Sequence, residues 1–504
     1  MAIDAAPPVQ RLAPRLATRP TGAAAADPAG SARTRRGRSW RRATFLLLAL
    51  AAPALAQSER QRVDLIVEGA QVVTMDPERP LLVDGAVAVD GGAILKVGSR
   101  ESIHRRYEGR EVIAGKDRVL MPGLVNGHTH AAMVLFRGLA DDLDLMTWLT
   151  KVIFPMEGRF VDAEFVATGA RLACWEFIRG GTTTIVDMYF HPDVAANEFE
   201  GCGLRAILGA PMIDYPSPGF EGWDDSFAAG RKFAAEWTHR GGRIRPALAP
   251  HAPYSVAPEH LRQVSAAARE LEVPVMIHLA EDQSELDTVR KRYRATPIRH
   301  LQALGLLDVP LIAAHVVLPA ARDIALLAAP GIGVVHNPTS NLKTGAGVAP
   351  VPDLLAAGVR VGLGTDGAAS NNDLDLWGEI KLAALLHKGV RHDATAIPAG
   401  IALRMATQGG AEAIGLGDDI GSLAAGKRAD LIQVALDSPR LAPLYDPVSH
   451  LVYAVTPQDV VTTIVDGRVL MREGRVLSVD GAEARAAANA MAARIRTAIA
   501  ADGR

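Results

Sequence analysis

From Val119 onward, apolar runs of strand length recur at a regular spacing: "VLMPGLVN", "TTTIVDMYF", "LRAILGAPMI", "IRPALAPHAPY", "VPVMIHLAE", "PLIAAHVV", "IGVVHNPTS" and "VRVGLGTDG". Between them lie stretches of helical periodicity, such as "DAEFVATGARLACWEFIRG" and "PEHLRQVSAAARELE". Strands that are apolar along their whole length are covered on both faces, and eight of them alternating with helices predict an α/β protein built on a closed parallel (β/α)8 TIM barrel. The alternative is an open doubly wound sheet, but no GxGxxG follows the first strand to support it.

The flanking segments have a different period. "VDLIVEGAQVVTMD" and "LLVDGAVAVDGGAILKVG" before the barrel, and "RADLIQVAL" and "VVTTIVDGRVLMREGRVL" after it, read as half-buried strands with Asp-Gly and Gly-Gly turns. Each piece is too small to stand alone. The expected organisation is a discontinuous β-sandwich from residues 58–118 plus 421–481, a barrel of residues 119–420 inserted into it, and an amphipathic terminal helix over 482–504. No internal repeat interrupts this plan.

Residues 1–57 stand apart as a leader rich in Ala, Pro and Arg. Arg41-Arg42, an apolar run from Phe45 to Ala52 and Ala54-Leu55-Ala56 have the order of a secretory signal, with cleavage expected after residue 56. The run is too short to span a bilayer, so no stable membrane span is expected in the cleaved chain. Export to the periplasm follows, by the general or the twin-arginine route; a leader without function would leave the protein cytoplasmic.

Composition narrows the chemistry. The chain has 504 residues, 49% hydrophobic and 22% charged, ordinary values for a globular protein. Its net charge is −2, and the nine Arg and two Asp of the leader account for +7, which leaves −9 on the remainder. With no basic run, nucleic acid is excluded as a partner and a small-molecule substrate is expected; a homo-oligomer stays open. The two cysteines, Cys174 and Cys202, form no metal-type spacing, so any metal rests on His and carboxylate.

Seven of the 14 histidines fall at or just beyond the ends of predicted strands: His128, His130, His191, His251, His278, His315 and His336. Barrel enzymes assemble their sites at that end. In "VNGHTHAAM", His128 and His130 share a face because side chains alternate along a strand. Together with His278 in "IHLAE" and Asp366 in "GLGTDG" they make three imidazoles and a carboxylate, a donor set for one divalent metal, Zn2+ first and Fe2+ as the alternative. Such a metal acidifies a bound water from ~15.7 towards ~7. Glu281, three residues after His278, is placed to move that water's proton, its bland alternative being a carboxylate at a helix entry. His315 hydrogen-bonds the attacking oxygen or shares proton transfer with Asp366.

The stretches "PGLVNGHTHAAM", "HLAED", "AAHVV", "VVHNPTSNLKTGAGVAPV" and "VGLGTDGAASNNDLDLWGEIKLAALLHK" together resemble the amidohydrolase superfamily, and within it the 5-methylthioadenosine/S-adenosylhomocysteine deaminases and the related chlorohydrolase group. The likeness runs from about Val63 to Leu477. It implies a mononuclear metal site on His128, His130, His278 and Asp366, with Glu281 as proton shuttle and His315 as the sixth strand's histidine. No lysine ends the fourth strand, where binuclear relatives carry one. Glu157 in "WLTKVIFPMEGR" matches the residue that holds ribose hydroxyls, His251 in "PHAPYS" matches a purine and ribose contact, and Trp148 is placed to stack on base or tail, unless it is ordinary helix packing.

The implied activity is hydrolytic deamination of an adenosine-like nucleoside with release of ammonia. Chloride displacement from a triazine, deamination of another heterocycle and opening of a cyclic amide are alternatives on the same metal site, and a non-catalytic metal-binding barrel is the alternative of another class. Arginines that clamp a homocysteine carboxylate in some relatives are missing from "APMIDYPSPGFEGWDDSFAAG", which favours methylthioadenosine or adenosine; Arg231 follows directly and its reach is left open.

Overall fold

The computed structural model describes residues 60–501. The leader pattern of residues 1–57 lies outside them. Within them, the eight apolar runs form parallel strands in chain order. Leu124–Thr129, Thr182–Met188, Arg205–Gly209 and Ile244–Pro246 pair consecutively in one sheet, and Val275–Leu279, Leu311–His315, Ile332–His336 and Arg360–Leu363 pair consecutively in another. A parallel bridge between Leu248 and Val275 joins the two sheets on one side. On the other, the Asp366 N–H donates to the His128 carbonyl at 3.0 Å.

The helices between strands follow their sequence signals. Asp162 caps Ala163–Gly180 by accepting from the Phe165 N–H, and Gly181 ends it at φ 81°. Its apolar stripe of Phe165, Val166, Ala170, Ala173, Phe177 and Ile178 is buried. Pro258–Leu271 starts on a proline at its first turn. Both lie where the periodicity put them.

Strands from both ends of the chain meet in one nine-stranded sheet. Its path runs Arg475–Val476, Arg468–Arg472, Val460–Val465, Leu431–Ala435, Arg118–Pro122, Gln61–Val73, Leu81–Asp90, Ala93–Ser99, with Tyr107–Ile113 also beside Gln61–Val73. The joint between the ends is the antiparallel pair Arg118–Pro122 with Leu431–Ala435. The hydrogen-bonded path is continuous and not split into two sheets.

"VLMPGLVN" is therefore two strands and not one. Arg118–Pro122 belongs to the nine-stranded sheet and Leu124–Thr129 to the parallel set, and Gly123 is the corner. A Cβ at Gly123 would lie 2.2 Å from the Thr183 side chain, so only glycine passes. The apolar run is unbroken because both strands are buried, which is why periodicity alone missed the corner.

Cys174 and Cys202 form a disulfide between the helices Ala163–Gly180 and Pro192–Cys202, with 28 residues of separation. Two cysteines at that spacing carry no pairing signal; the packing of the two helices brings them together. The terminal helix is Gly481–Ala501, one residue earlier than expected, with Ala484, Ala488, Met491 and Ile495 buried.

Candidate active site

The parallel strands put a filled core at one end and a polar pocket at the other. Val125, Val186, Met188, Ile207, Met276, Ile312 and Val335 pack together with Ala411, Ile414 and Leu416 as an apolar plug. Above it, alternation places Met276 and then His278 on the same side of their strand. A register shift between Asn126 and Thr129 changes the phase of the first strand, so that Val125 joins the plug while His128 and His130 also turn inward.

Three Nε2 atoms and one carboxylate oxygen then gather in a small space. His128 Nε2 lies 3.4 Å and His130 Nε2 3.2 Å from Asp366 Oδ1, and His278 Nε2 is 3.3 Å from His130 Nε2. Ligands about 2.0–2.1 Å from a tetrahedral zinc stand about 3.3 Å from one another, the spacing seen here. His128 Nε2 and Asp366 Oδ1 are buried and have no hydrogen-bond partner among the described residues. A cation between them would satisfy both, so the donor set fits the implied metal.

The remaining polar atoms of these side chains are tied. His130 Nδ1 donates to the Met188 carbonyl at 2.5 Å and His278 Nδ1 to the His251 carbonyl at 2.8 Å, which leaves each Nε2 facing the centre. Asp366 Oδ2 accepts from the hydroxyls of Ser340 at 2.6 Å and Ser370 at 2.8 Å, so Oδ1 alone is free. Burial lowers His128 to about 4 and holds His278 well below the ordinary imidazole value, which keeps both rings neutral as ligands must be. Burial also pulls on His130, but the Asp366 carboxylate 3.2 Å from its Nε2 outweighs it and raises the ring to about 9.

Glu281 and His315 face this cluster. Glu281 is 7% exposed, and its Oε1 is 3.7 Å from His315 Nε2. Burial, then the charges of Asp366 and Asp282, push its carboxyl well above the usual range, the condition for a group that must carry a proton at neutral pH. The cap of Gln283–Tyr293 is Asp282, and Glu281, one residue before it, lines the cavity. His315 Nδ1 donates to Asn341 Oδ1 at 2.8 Å, leaving Nε2 toward Glu281. Ile312 is the inward residue of that strand, so alternation would send His315 outward; φ of 72° at His315 and 46° at Val316 turns it in.

The segment after His130 supplies more of the cavity lining. Trp148 ends the short helix Leu145–Trp148, a π-helical turn Leu149–Ile153 follows, and Phe154–Phe160 presents Glu157. Trp148, Glu157 and His251 all line the cavity together with His130, His278, Glu281, His315 and Asp366. Glu157 is 6% exposed; burial raises it to about 7 against the opposing pull of the Tyr189 hydroxyl and the His130 charge. Burial lowers His251 to about 3, so its ring is neutral, and its Nδ1 lies 2.9 Å from Ser255 Oγ.

Two of the seven strand-end histidines do not join the site. Val335 points into the plug, so the adjacent His336 faces the helix Leu376–Arg391, where its ring centroid is 5.3 Å from that of His387. His191 lines a separate cavity beside Gly219 and Phe220. Arg231 pairs with Glu270 at 2.7 and 2.9 Å on the exposed faces of two helices, and no Lys or Arg occurs among the described residues lining the active-site cavity. Ser340, Ser370, Asn341 and Tyr189 carry no signal in the sequence: Ser340 and Asn341 meet partners 26 residues away, and Ser370, four residues from Asp366, sits in no recognisable motif.

Residues 119–470 match the Amidohydrolase family. A 5-methylthioadenosine/S-adenosylhomocysteine deaminase of Syntrophobacter fumaroxidans is 44% identical over 419 residues, 83% of this chain and 95% of that protein. A 5'-deoxyadenosine deaminase of Methanosarcina mazei is 43% identical over 86% of this chain and all of its own length. Among solved structures, an adenosine deaminase from Xanthomonas campestris with bound zinc superposes with a TM-score of 0.85 at 40% identity, covering 87% of this chain and all of that one.

Proposed function

This chain belongs to the amidohydrolase family, and we propose from that membership and from the cavity that it deaminates adenine nucleosides whose 5' group is small and uncharged, such as methylthioadenosine or 5'-deoxyadenosine. The observation that carries the reading is one cavity lined both by His130, His278 and Asp366 of the candidate metal cluster with Glu281 and by Glu157, His251 and Trp148. The first set suits attack on an aminated ring carbon and the second suits a ribose and a base. Likeness to a 5-methylthioadenosine/S-adenosylhomocysteine deaminase and to a 5'-deoxyadenosine deaminase supports deamination of an adenine nucleoside.

His128, His130, His278 and Asp366 would hold a divalent metal, which when bound would supply a water acidified to near neutrality. We take this metal to be zinc, on the imidazole and carboxylate donors and on the zinc bound in the Xanthomonas campestris protein. Glu281 takes the water's proton and delivers it to the ring nitrogen next to the attacked carbon. Asp366, one oxygen held by Ser340 and Ser370, takes the second proton and passes it to the amino group, which leaves as ammonia as its bond to the ring carbon breaks, while His315 Nε2 hydrogen-bonds the new oxygen. Glu157 accepts the ribose hydroxyls, His251 contacts sugar and base, and Trp148 covers them. Water and the amine are consumed, and the ring carbonyl and ammonia are the products.

The 5' preference rests on charge. A homocysteine tail carries a carboxylate and needs a cation or a fork of donors, whereas Leu145, Leu149, Ile153, Phe154 and Ile213 line this cavity with hydrocarbon. The test is ammonia release by the zinc-loaded protein from methylthioadenosine, 5'-deoxyadenosine, adenosine and S-adenosylhomocysteine. The first two should be the best substrates and the last the poorest by kcat/KM. No ammonia from any of the four overturns the reading.

We read the eight parallel strands as one closed barrel, on the contacts at both seams, and the nine-stranded sheet as curled into a sandwich around its own apolar residues. The divisions at 58–118 with 421–481, 119–420 and 482–504 go with that reading. We also place the mature protein outside the cytoplasm, on the secretory pattern in residues 1–57 and on the Cys174–Cys202 disulfide, a bond that oxidising compartments preserve. Cell fractionation with N-terminal sequencing tests this; a cytoplasmic protein retaining residue 1 overturns it.

A further inference from the structure

Glu285 is 1% exposed, and both of its oxygens are used on main chain. Oε1 accepts from the Ala280 N–H at 2.9 Å and Oε2 from the Glu281 N–H at 2.8 Å. Ala280 has φ of 50°, in the left-handed region that a residue with a Cβ enters only when its surroundings impose it. Ala280 stands between the metal ligand His278 and Glu281, so this bend decides where the Glu281 carboxyl goes.

The helix does not need Glu285 as a cap. Asp282 already accepts from the Glu285 N–H at 3.0 Å. In a capping box the third helical residue reaches back to the N–H of the cap itself, here Asp282. Glu285 reaches past it, to the two residues before the cap. The other side of the turn is held from the neighbouring strand end, where the Val316 and Leu318 N–H groups donate to the carbonyls of Leu279 and Ala280, each at 2.9 Å. The bend is thus gripped by its amides from one side and by its carbonyls from the other.

We propose that Glu285 is a positioning residue for deamination: it fixes the left-handed turn at Ala280 and so aims the Glu281 carboxyl at the reacting atoms. The inference rests on Glu281 as the proton carrier. It assigns a second buried glutamate, four residues further on, to the same step without contact with substrate. Glu285→Gln keeps size and one acceptor but turns an NH2 group toward a main-chain N–H, which releases one of the two grips.

The test uses the zinc-loaded full chain and four proteins: wild type, Glu281→Gln, Glu285→Gln and the double variant. Glu285→Gln should lower kcat at least tenfold while KM and bound zinc stay unchanged, because a displacement of about 1 Å at the reacting groups costs up to ~100-fold. In the Glu281→Gln background the same change should cost less than twofold, since a residue that acts through Glu281 has nothing left to act through. Adding Ala280→Gly to Glu285→Gln should recover part of the lost kcat, because glycine adopts the bend without the grip. Wild-type kcat in Glu285→Gln, or an equal loss in both backgrounds, overturns the proposal and leaves the role of Glu281 intact. Full kcat in Glu281→Gln overturns both. Should Glu285→Gln not fold, Ala280→Val takes its place in both backgrounds: it leaves the carboxylate and burdens the same φ with a β-branched side chain, and the same outcomes decide.

Discussion

Glu157 gives substrate binding a pH dependence whose sign and size follow from its burial. With a carboxyl raised from 4.5 to about 7, it is mostly protonated at pH 6 and mostly ionised at pH 8. Two ribose hydroxyls need an acceptor, and the ionised form accepts both. Apparent affinity scales with the competent fraction, about one tenth at pH 6 and about nine tenths at pH 8. KM for methylthioadenosine should therefore fall about tenfold from pH 6 to pH 8, and the Ki of the deaminated product, which reports binding alone, should fall with it. An analogue lacking both ribose hydroxyls should show no such slope, and Glu157→Gln should flatten it for the natural substrate. Stability runs the other way. Between pH 4.5 and about 7 the unfolded chain has released this proton and the folded one has not, so stability drops as pH rises, by on the order of 3 kcal/mol. Glu157→Gln should then melt later than wild type at pH 8. A KM constant from pH 6 to pH 8, or the same slope with the hydroxyl-free analogue, would refute the reasoning.

Other consequences can be checked separately. Glu281→Gln should retain zinc by elemental analysis and lose roughly 10²–10⁴-fold in kcat, the usual contribution of a positioned acid-base group. Chelation should leave His128 Nε2 and Asp366 Oδ1 without a partner and lower the melting temperature, with recovery that depends on the concentration of added zinc. Arg205, 5% exposed, makes paired bonds to Asp430 at 2.7 and 3.0 Å between the third parallel strand and the nine-stranded sheet; Arg205→Met should cost about 3–5 kcal/mol in urea unfolding because it strands a buried carboxylate. Cys174→Ser removes a bond that closes 28 residues and should cost about 3–4 kcal/mol with kcat unchanged, provided the purified wild type contains no titratable thiol.

Much of the site could be read without coordinates because its signals are local. A strand carries His128 and His130 on one side by alternation, and His278 and Glu281 sit three residues apart at a strand end, so spacing names them. Glu157, His251 and Trp148 were named by resemblance, and packing brings them into the same cavity. Alternation also explains His336: its place at a strand end is visible in the sequence, but which side it takes depends on Val335 filling the plug. The corner at Gly123 was hidden by a run of apolar residues buried in two different sheets.

What the sequence determined by itself is the order of elements and the identity of the donors, since periodicity and residue chemistry are properties of neighbours along the chain. What only the tertiary structure decided is aim. The left-handed angles at Ala280, His315 and Asp366 are conformations that none of these residues prefers, and each is imposed by partners brought in from outside its own strand. Ser340 and Ser370 select which oxygen of Asp366 faces the metal site, and Glu285 holds the turn that carries Glu281. The Ser340 bond joins residues 26 apart that meet only after folding; Ser370 and Glu285 lie four or five residues from their partners, and their role appears only once the backbone between them is bent.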